Sequence, residues 1–146
     1  MTTVRQVLNQ KGYAVYSVPP QVPIIGALRV MAEKDIGAVI VMENDQVKGI
    51  FSERDYARRT RLKGKTSDAP ISEVMTKTVY YIGPDDTMEA CMAQMSDKHI
   101  RHLPVVEKGK VIGIISIGDV VNSIISNQKS LIEGLQNYIM GAETQL

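Results

Sequence analysis

The chain has 146 residues, about the size of one globular domain, and 44% of them are hydrophobic. Its 17 Lys and Arg and 16 Asp and Glu give a net charge of +1, so no basic field for nucleic acid and no acidic tail is expected. The chain has one cysteine, which excludes an intrachain disulfide framework and a cysteine-rich zinc site. It has no tryptophan and one phenylalanine, which disfavours aromatic stacking on single-stranded nucleic acid. No apolar run is long enough to span a membrane. We therefore expect a cytoplasmic protein with no nucleic-acid or membrane partner.

Residues 1-13 contain a short predicted helix at Val4–Leu8. Residues 14-62 then follow the order strand, helix, strand, strand, helix. The first helix starts at Pro23, which suits a first turn because its missing N–H would have no partner there. The strands that follow form a hairpin about Asn44-Asp45, and the closing helix begins just after Ser52. The predicted strands are Val15–Val18, Ala38–Met42 and Val47–Phe51, and the apolar stripe of the first helix is Ile24, Leu28 and Met31.

Residues 63-76 connect this unit to a second one. Lys63–Pro70 has the polar, Gly- and Pro-containing composition of a linker, and Ile71–Met75 is predicted as a short helix like the one at the start of the chain. Residues 77-126 repeat the order strand, helix, strand, strand, helix. Asp86 and Glu89 are predicted to cap the first helix of this unit. The predicted strands are Val79–Ile82, Pro104–Val106 and Val111–Ile115, the turn is Lys108-Gly109, and the helix carries a face of Met88, Met92 and Met95.

The second unit is a copy of the first. The two segments align at a constant offset without a gap, and Gly49–Asp55 falls on Gly113–Asp119. Each copy therefore has Gly-hydrophobic-x-Ser-x-x-Asp where a strand passes into a helix. The other identical pairs include Pro20 with Pro84, Met31 with Met95, Lys34 with Lys98 and Val41 with Val105.

Residues 127-146 extend past the repeat as a predicted helical tail. Between Val120 and Met140 the sequence has no proline and one glycine, and apolar residues recur at near-heptad spacing. An apolar stripe of this length would otherwise face water, so we expect a homodimer. The stripe consists of Val120, Ile124, Leu131, Leu135 and Tyr138 or Ile139.

The repeat resembles the cystathionine-β-synthase (CBS) domain pair, an α/β module of IMP dehydrogenases and of the γ subunit of AMP-activated kinase. The resemblance covers nearly the whole chain and rests on Gly49–Asp55, Gly113–Asp119, Ile71–Thr76 and Arg101–Val105 in their usual places. The first signature is similar to that of small bacterial CBS-pair proteins, some of which bind AMP or NAD. The resemblance implies two repeats about a pseudo-twofold axis, with two clefts that receive adenosine-containing ligands.

Each signature has groups suited to a nucleotide. The hydroxyls of Ser52 and Ser116, with the N–H groups at the start of each helix, predict a phosphate site. Asp55 and Asp119, three residues on, are predicted to accept hydrogen bonds from a ribose diol. The same Ser-x-x-Asp spacing is also an ordinary helix-capping pattern, so a purely structural role stays open for each copy.

Further residues complete the predicted sites. Arg54 lies beside the first Ser-Asp pair and can bind phosphate oxygens in a bidentate manner. Arg101 and His102 resemble cations that, in related CBS pairs, contact the phosphates of a nucleotide held by the other repeat, although His102 could equally be a core histidine. The residues predicted to line adenine are Ile36, Gly37, Ala38, Ile100 and Pro104.

The residues between Ser and Asp differ in the two copies: Glu53-Arg54 in the first and Ile117-Gly118 in the second. We therefore expect Asp55 to mark the site that prefers phosphorylated ligands, and Asp119 the site that tolerates adenosine.

We expect a regulatory module that binds AMP, ADP, ATP or NAD and senses energy or redox state, with no catalytic cofactor. The sequence has no Ser-His-Asp order, Walker loop or paired catalytic carboxylates, so no enzyme activity is expected. Cys91 is predicted to be a packing residue, and His99 with His102 provides too few ligands for a metal site.

Three alternatives stay open. The ligand could be S-adenosylmethionine, although Arg54 and Arg101 argue against a cationic sulfonium. The chain could instead be a structural dimerisation or adaptor protein with empty clefts. It could also bind nucleic acid through the cationic run from Arg54 to Lys65, in which case the binding would depend steeply on salt.

Overall fold

The computed structural model describes residues 1–144, and all their side chains except those of Arg61 and residues 142–144; the last two residues of the predicted tail lie outside this part. The chain divides into two compact units. The first unit is Val15–Tyr80, and the second combines Met1–Ala14 with the chain from Tyr81 onward. The elements in chain order are α1 (Val4–Lys11), β1 (Ser17–Val18), α2 (Ile24–Lys34), β2 (Ala38–Glu43), β3 (Gln46–Ser52), α3 (Glu53–Asp55), a π-helix (Tyr56–Arg61), a 3₁₀ helix (Ile71–Glu73), α4 (Met88–Lys98), β4 (His102–Glu107), β5 (Lys110–Ser116) and α5 (Ile117–Thr144).

Both predicted hairpins are confirmed. In the first unit β2 pairs antiparallel with β3, and in the second unit β4 pairs antiparallel with β5. The φ angles of Asn44 and Asp45 are 52° and 62°, and those of Lys108 and Gly109 are 53° and 77°. Two successive positive φ angles define the tight turn whose twist matches that of paired strands, which explains the choice of Asn44, Asp45 and Gly109. Lys108 adopts the same conformation although long side chains favour it less.

The first strand of each repeat is shorter than predicted. In the first unit β1 pairs in parallel with β2 through Ser17 and Val18 alone. In the second unit the predicted strand Val79–Ile82 is reduced to one parallel bridge, from Ile82 to Val105. Proline follows closely in both copies, and its fixed φ and missing N–H end the pairing.

The N-cap of helix α4 lies one residue later in the chain than predicted. Thr87, not Asp86, is the N-cap, because its hydroxyl accepts a hydrogen bond from the Ala90 N–H at 3.1 Å. The Asp86 carboxylate instead accepts from the Gly83 N–H, in the turn before the helix. The buried face of α4 is Met88, Cys91 and Met95, while Met92 is 44% exposed and was wrongly placed on that face.

Each repeat is preceded by a short helix that packs against the other repeat. Helix α1 precedes the first repeat but packs in the second unit, and the 3₁₀ helix precedes the second repeat but packs in the first unit. In the second unit α1 buries Val4 and Leu8, and the Val4 N–H donates to the Asp86 carbonyl at 2.9 Å. In the first unit the segment after the linker contributes Ile71, Val74 and Met75 to the hydrophobic core. The other buried core residues of the first unit are Val18, Ile24, Ala27, Met31, Val39, Val41 and Phe51.

The glycine that opens each signature makes this packing possible. A Cβ on Gly49 would lie 2.7 Å from both the carbonyl oxygen of Thr76 and the sulfur of Met75. A Cβ on Gly113 would lie 2.8 Å from a methyl carbon of Leu8. At Gly49 the two segments are also joined by two backbone hydrogen bonds between Ile50 and Thr76, at 2.9 and 2.8 Å.

No described helix is both long and apolar enough to cross a membrane.

We predict that Gly49→Ala destabilises the protein more than Gly113→Ala. At Gly49 the new methyl group meets a hydrogen-bonded backbone carbonyl, whereas at Gly113 it meets the movable end of a leucine side chain. Overpacking of this kind costs about 1–3 kcal/mol, and we expect Gly49→Ala near the upper end and Gly113→Ala near the lower end. Urea unfolding of the two variants measures the difference, and a larger loss for Gly113→Ala would contradict this account.

Candidate functional site

The first signature fixes the Asp55 carboxylate at the start of α3. Its Oδ2 accepts hydrogen bonds from the Ser52 N–H at 2.9 Å and from the Ser52 hydroxyl at 3.2 Å. In return, the Asp55 N–H donates to the Ser52 hydroxyl oxygen at 3.3 Å. The Asp55 side chain is 14% exposed, so the carboxylate is both oriented and reachable.

The segment after the linker binds the other oxygen of the same carboxylate. The Thr76 hydroxyl donates to Asp55 Oδ1 at 2.9 Å, and Arg59 Nε lies 3.9 Å from that oxygen. Arg59 also donates from Nη1 to the Met75 carbonyl at 3.0 Å. The sequence placed Arg59 only within the cationic run from Arg54 to Lys65 and gave no role to the Thr76 hydroxyl. Both contacts arise because residues 75–76 lie against β3, a pairing that no local pattern reveals.

The second signature holds Asp119 in a similar way but with a different partner. Asp119 Oδ2 accepts from the Ser116 N–H at 2.9 Å, and the Asp119 N–H donates to the Ser116 hydroxyl at 3.2 Å. The Lys11 ammonium, at the end of α1, donates to Asp119 Oδ2 at 2.7 Å and to the Ile114 carbonyl at 3.0 Å. The sequence missed Lys11, and it gave this site no cationic side chain of its own beside Asp119; the structure corrects that description.

Some of the backbone N–H groups predicted to bind phosphate are used within each unit. The Glu53 N–H donates to the Gly37 carbonyl at 3.1 Å, and the Ile117 N–H donates to the Arg101 carbonyl at 2.8 Å. The N–H groups of Asp55 and Asp119 are capped by serine, as described above. A phosphate bound here would therefore have to rely on side-chain hydroxyls and cations more than the sequence suggested.

The loops predicted to line adenine lie beside the motif of their own repeat. Ala38 pairs with Ser52 at the end of the β2–β3 ladder, and Ile36 and Gly37 precede it. In the second unit His102 pairs with Ser116, while Ile100 is half-buried. The remaining predicted residues are Pro104, which is buried, Arg54, which is half-buried, and Arg101, which is exposed. The contact of Arg101 and His102 with a nucleotide held by the other repeat stays a prediction.

A polar cleft of about 690 Å³ opens in the second unit between α1 and α5. Lys11 and Asp119 lie on its wall, together with amide side chains such as Asn9 and Asn122. This volume falls within the range of small-molecule sites. Asp119 is 19% exposed, so its carboxylate can be reached by a small molecule.

Cys91 lies on the buried face of α4, as predicted for a packing residue. Burial raises the pKa of its thiol to about 11, with a smaller contribution from Asp86. The thiol is therefore protonated at neutral pH and is a poor nucleophile. The described residues contain no group of three or more His, Cys, Asp or Glu side chains that could hold a metal ion.

The comparisons with known proteins agree with this geometry. A family model for the CBS domain matches the chain twice, over residues 4–61 and 71–126. The structure of a protein with CBS domains from Burkholderia ambifaria is 44% identical, covers 87% of this chain and 96% of its own, and has a TM-score of 0.83.

Two structures of lower identity share the fold. The CBS domain pair of the protein MJ0100, solved in complex with 5′-methylthioadenosine and S-adenosyl-L-methionine, is 21% identical over 87% of this chain and 98% of its own, with a TM-score of 0.78. A CBS domain protein of Pyrobaculum aerophilum, complexed with AMP, is 21% identical over 80% of this chain and 88% of its own, with a TM-score of 0.71.

Proposed function

The chain belongs to the CBS-domain family, and we propose that it is a regulatory module that binds AMP, ADP, ATP or NAD and has no catalytic activity of its own. The observation that carries the proposal is the pair of oriented, partly exposed carboxylates, Asp55 and Asp119, at equivalent strand-to-helix junctions of the two units. A module of this kind would report the energy or redox state of the cell to a regulated protein.

Both carboxylates have the capacity to bind a ribose diol. A carboxylate offers about four acceptor positions on its two oxygens. The hydrogen bonds to Asp55 come from Ser52 and Thr76, and those to Asp119 from Ser116 and Lys11 on Oδ2. At Asp119 this leaves about two positions for the sugar hydroxyls, and at Asp55 about one, with a second available when the Ser52 hydroxyl turns from Asp55 to the ligand. On this proposal the capping role and the binding role are compatible.

Each unit also offers cations for phosphate. We propose Arg54 and the Ser52 hydroxyl as phosphate ligands in the first unit, and Lys11 and the Ser116 hydroxyl in the second. The Ser52 hydroxyl would turn its one proton from Asp55 to the phosphate. Because Lys11 lies 2.7 Å from Asp119, the second site is better suited to a phosphorylated ligand than the sequence comparison of the two copies suggested. We therefore expect a smaller difference between the two sites in their preference for phosphorylated ligands.

The main alternative ligand is S-adenosylmethionine, which the MJ0100 pair binds. It shares the ribose with a nucleotide but has a cationic sulfonium in place of a phosphate. The Lys11 ammonium can donate a hydrogen bond to a phosphate oxygen, whereas a sulfonium accepts none, and the same holds for Arg54 in the first unit. A structural adaptor with no ligand is the other alternative, and the contacts of Asp55 and Asp119 within their own units fit it as well.

We further propose that the protein acts as a homodimer in the cytoplasm. The lone, buried Cys91 supports a reducing compartment, since it has no second cysteine in the chain to pair with.

We predict that AMP raises the melting temperature by roughly 5 °C or more at a hundredfold excess over its Kd. A ligand that binds the folded state alone adds about 2.7 kcal/mol to the free energy of unfolding under those conditions. GMP is the matched control and is expected to give a smaller shift. Equal shifts from the two nucleotides would refute adenine selectivity, and no shift from AMP, ATP or NAD would favour the adaptor.

We predict that Asp55→Asn and Asp119→Asn each remove one AMP from the stoichiometry measured by calorimetry. Asparagine keeps an acceptor for the serine N–H, whereas alanine would leave buried donors unpaired at a cost of about 1–3 kcal/mol and confuse binding with folding. Asp45→Asn, in the exposed hairpin turn, is the matched control and is expected to bind like the unmodified protein. Unchanged stoichiometry in both site variants would exclude the two carboxylates as ribose ligands.

We predict that Lys11→Met weakens AMP roughly tenfold or more in the Asp55→Asn background, since a charge-assisted hydrogen bond contributes about 1.5–3 kcal/mol. Adenosine, which has no phosphate, is expected to change less than threefold. Lys110→Met, an exposed lysine in the same unit, is the control. Equal losses of AMP and adenosine would show that Lys11 only positions Asp119.

A further inference from the structure

Helix α5 continues well past the repeat. It runs from Ile117 to Thr144, whereas the CBS family match ends at residue 126. Every residue from Ile125 to Gly141 is exposed, including Leu131 at 65% and Tyr138 at 77%. Most helical stability in proteins comes from packing of an apolar face, so this part of α5 needs a packing partner that its own unit does not supply.

These side chains form a heptad seam with exposed Val121 and half-buried Ile124, and we name it the tail seam. Val121, Gln128 and Leu135 recur every seven residues, and Ile124, Leu131 and Tyr138 do the same, so the intervals alternate between three and four. These two sets are the a and d positions of a coiled coil. The flanking e positions are also apolar: Ile125, Ile132 and Ile139.

The charge pattern leaves the tail seam free for a copy of itself. Between Val121 and Gly141 the charged residues are Lys129 and Glu133, at positions b and f on the opposite side of the helix. Identical seams can therefore meet without like-charge repulsion. The polar side of the helix, opposite the tail seam, does not suit binding to a membrane surface. Helices that lie on anionic lipid carry many cations on their polar side, and this one carries a single lysine.

The apolar area on the tail seam is large enough for a stable dimer. The exposed area is that of Val121, Ile125, Leu131, Ile132, Leu135, Tyr138 and Ile139. It amounts to roughly 800 Å² per copy, which is as much as one partner contributes to a typical specific complex.

We propose that the tail seam is covered by the same helix of a second copy of this chain, in a parallel and in-register coiled coil. Gln128 sets the orientation. In a parallel pair Gln128 faces the partner's Gln128, and the two amides can hydrogen-bond to each other. In an antiparallel pair the amide would lie against an apolar d residue and lose its partners, which is unfavourable. The pairing is independent of what the two units bind.

Cross-linking of the full chain tests the pairing even if the repeats also associate by themselves. Leu131→Cys, at position d, is expected to form an intermolecular disulfide under mild oxidation, whereas Ser130→Cys, on the outward side, is the matched control and is expected to stay monomeric in a denaturing gel. Cys91 is buried and leaves the readout unaffected. No cross-link at position 131, or equal cross-linking of the two variants, would overturn the parallel coiled coil.

Sedimentation of the full chain provides the second test. The double variant Leu131→Asp with Leu135→Asp is expected to weaken self-association at least a hundredfold and to lower the helical circular dichroism signal. Ser130→Asp with Asn137→Asp adds the same charge on the outward side and is expected to change self-association less than threefold. The proposal would be overturned if the unmodified chain were a monomer at micromolar concentration. It would also be overturned if the chain bound phosphatidylserine vesicles as a monomer and sedimented with them.

Discussion

At Gly49 and at Gly113 a strand lies so close to a neighbouring segment that an added Cβ would lie within 2.7 and 2.8 Å of it. This contact allows the segment before one repeat to pack into the other repeat's core. It also brings Thr76 to Asp55 in the first unit and places Lys11 beside Asp119 in the second. The carboxylates at the centre of the proposed function therefore owe their surroundings to the same close approach that builds each core.

The features that the sequence predicted well are those that depend on neighbouring residues. The hairpins follow from turn residues such as Asn44-Asp45, and the long α5 follows from its heptad spacing. The duplication could be detected from the sequence because both signatures are complete and are separated by the same offset as the rest of the two copies.

The features that were missed depend on contacts between distant parts of the chain. Lys11 and Asp119 are far apart in sequence, and Lys11 precedes the repeats, so comparing the two copies could not reveal it. The strand predicted at Val79–Ile82 has the right composition, yet one bridge at Ile82 is all that forms. Thr87 took the capping role because α4 begins one residue later than the Asp86 and Glu89 spacing suggested.

Capping and ligand binding are often treated as competing explanations of a Ser-x-x-Asp pattern, but in the proposed sites one arrangement would serve both. The hydrogen bonds from Ser52 and Thr76 hold the Asp55 carboxylate in a fixed orientation before any ligand arrives. A preorganised acceptor loses less conformational freedom on binding, which favours affinity. The cations beside the two carboxylates differ, so the two proposed sites would not need to respond to the same nucleotide concentration.

Native mass spectrometry most directly tests the central claim that the two carboxylates mark adenine-nucleotide sites. The full chain would be incubated with an equimolar mixture of AMP, ATP, NAD, GMP and S-adenosylmethionine, and the bound masses would be read per chain. The account predicts adducts of an adenine nucleotide, up to two per chain. A chain that remains bare, or that carries GMP or S-adenosylmethionine in preference to the adenine nucleotides, would contradict it.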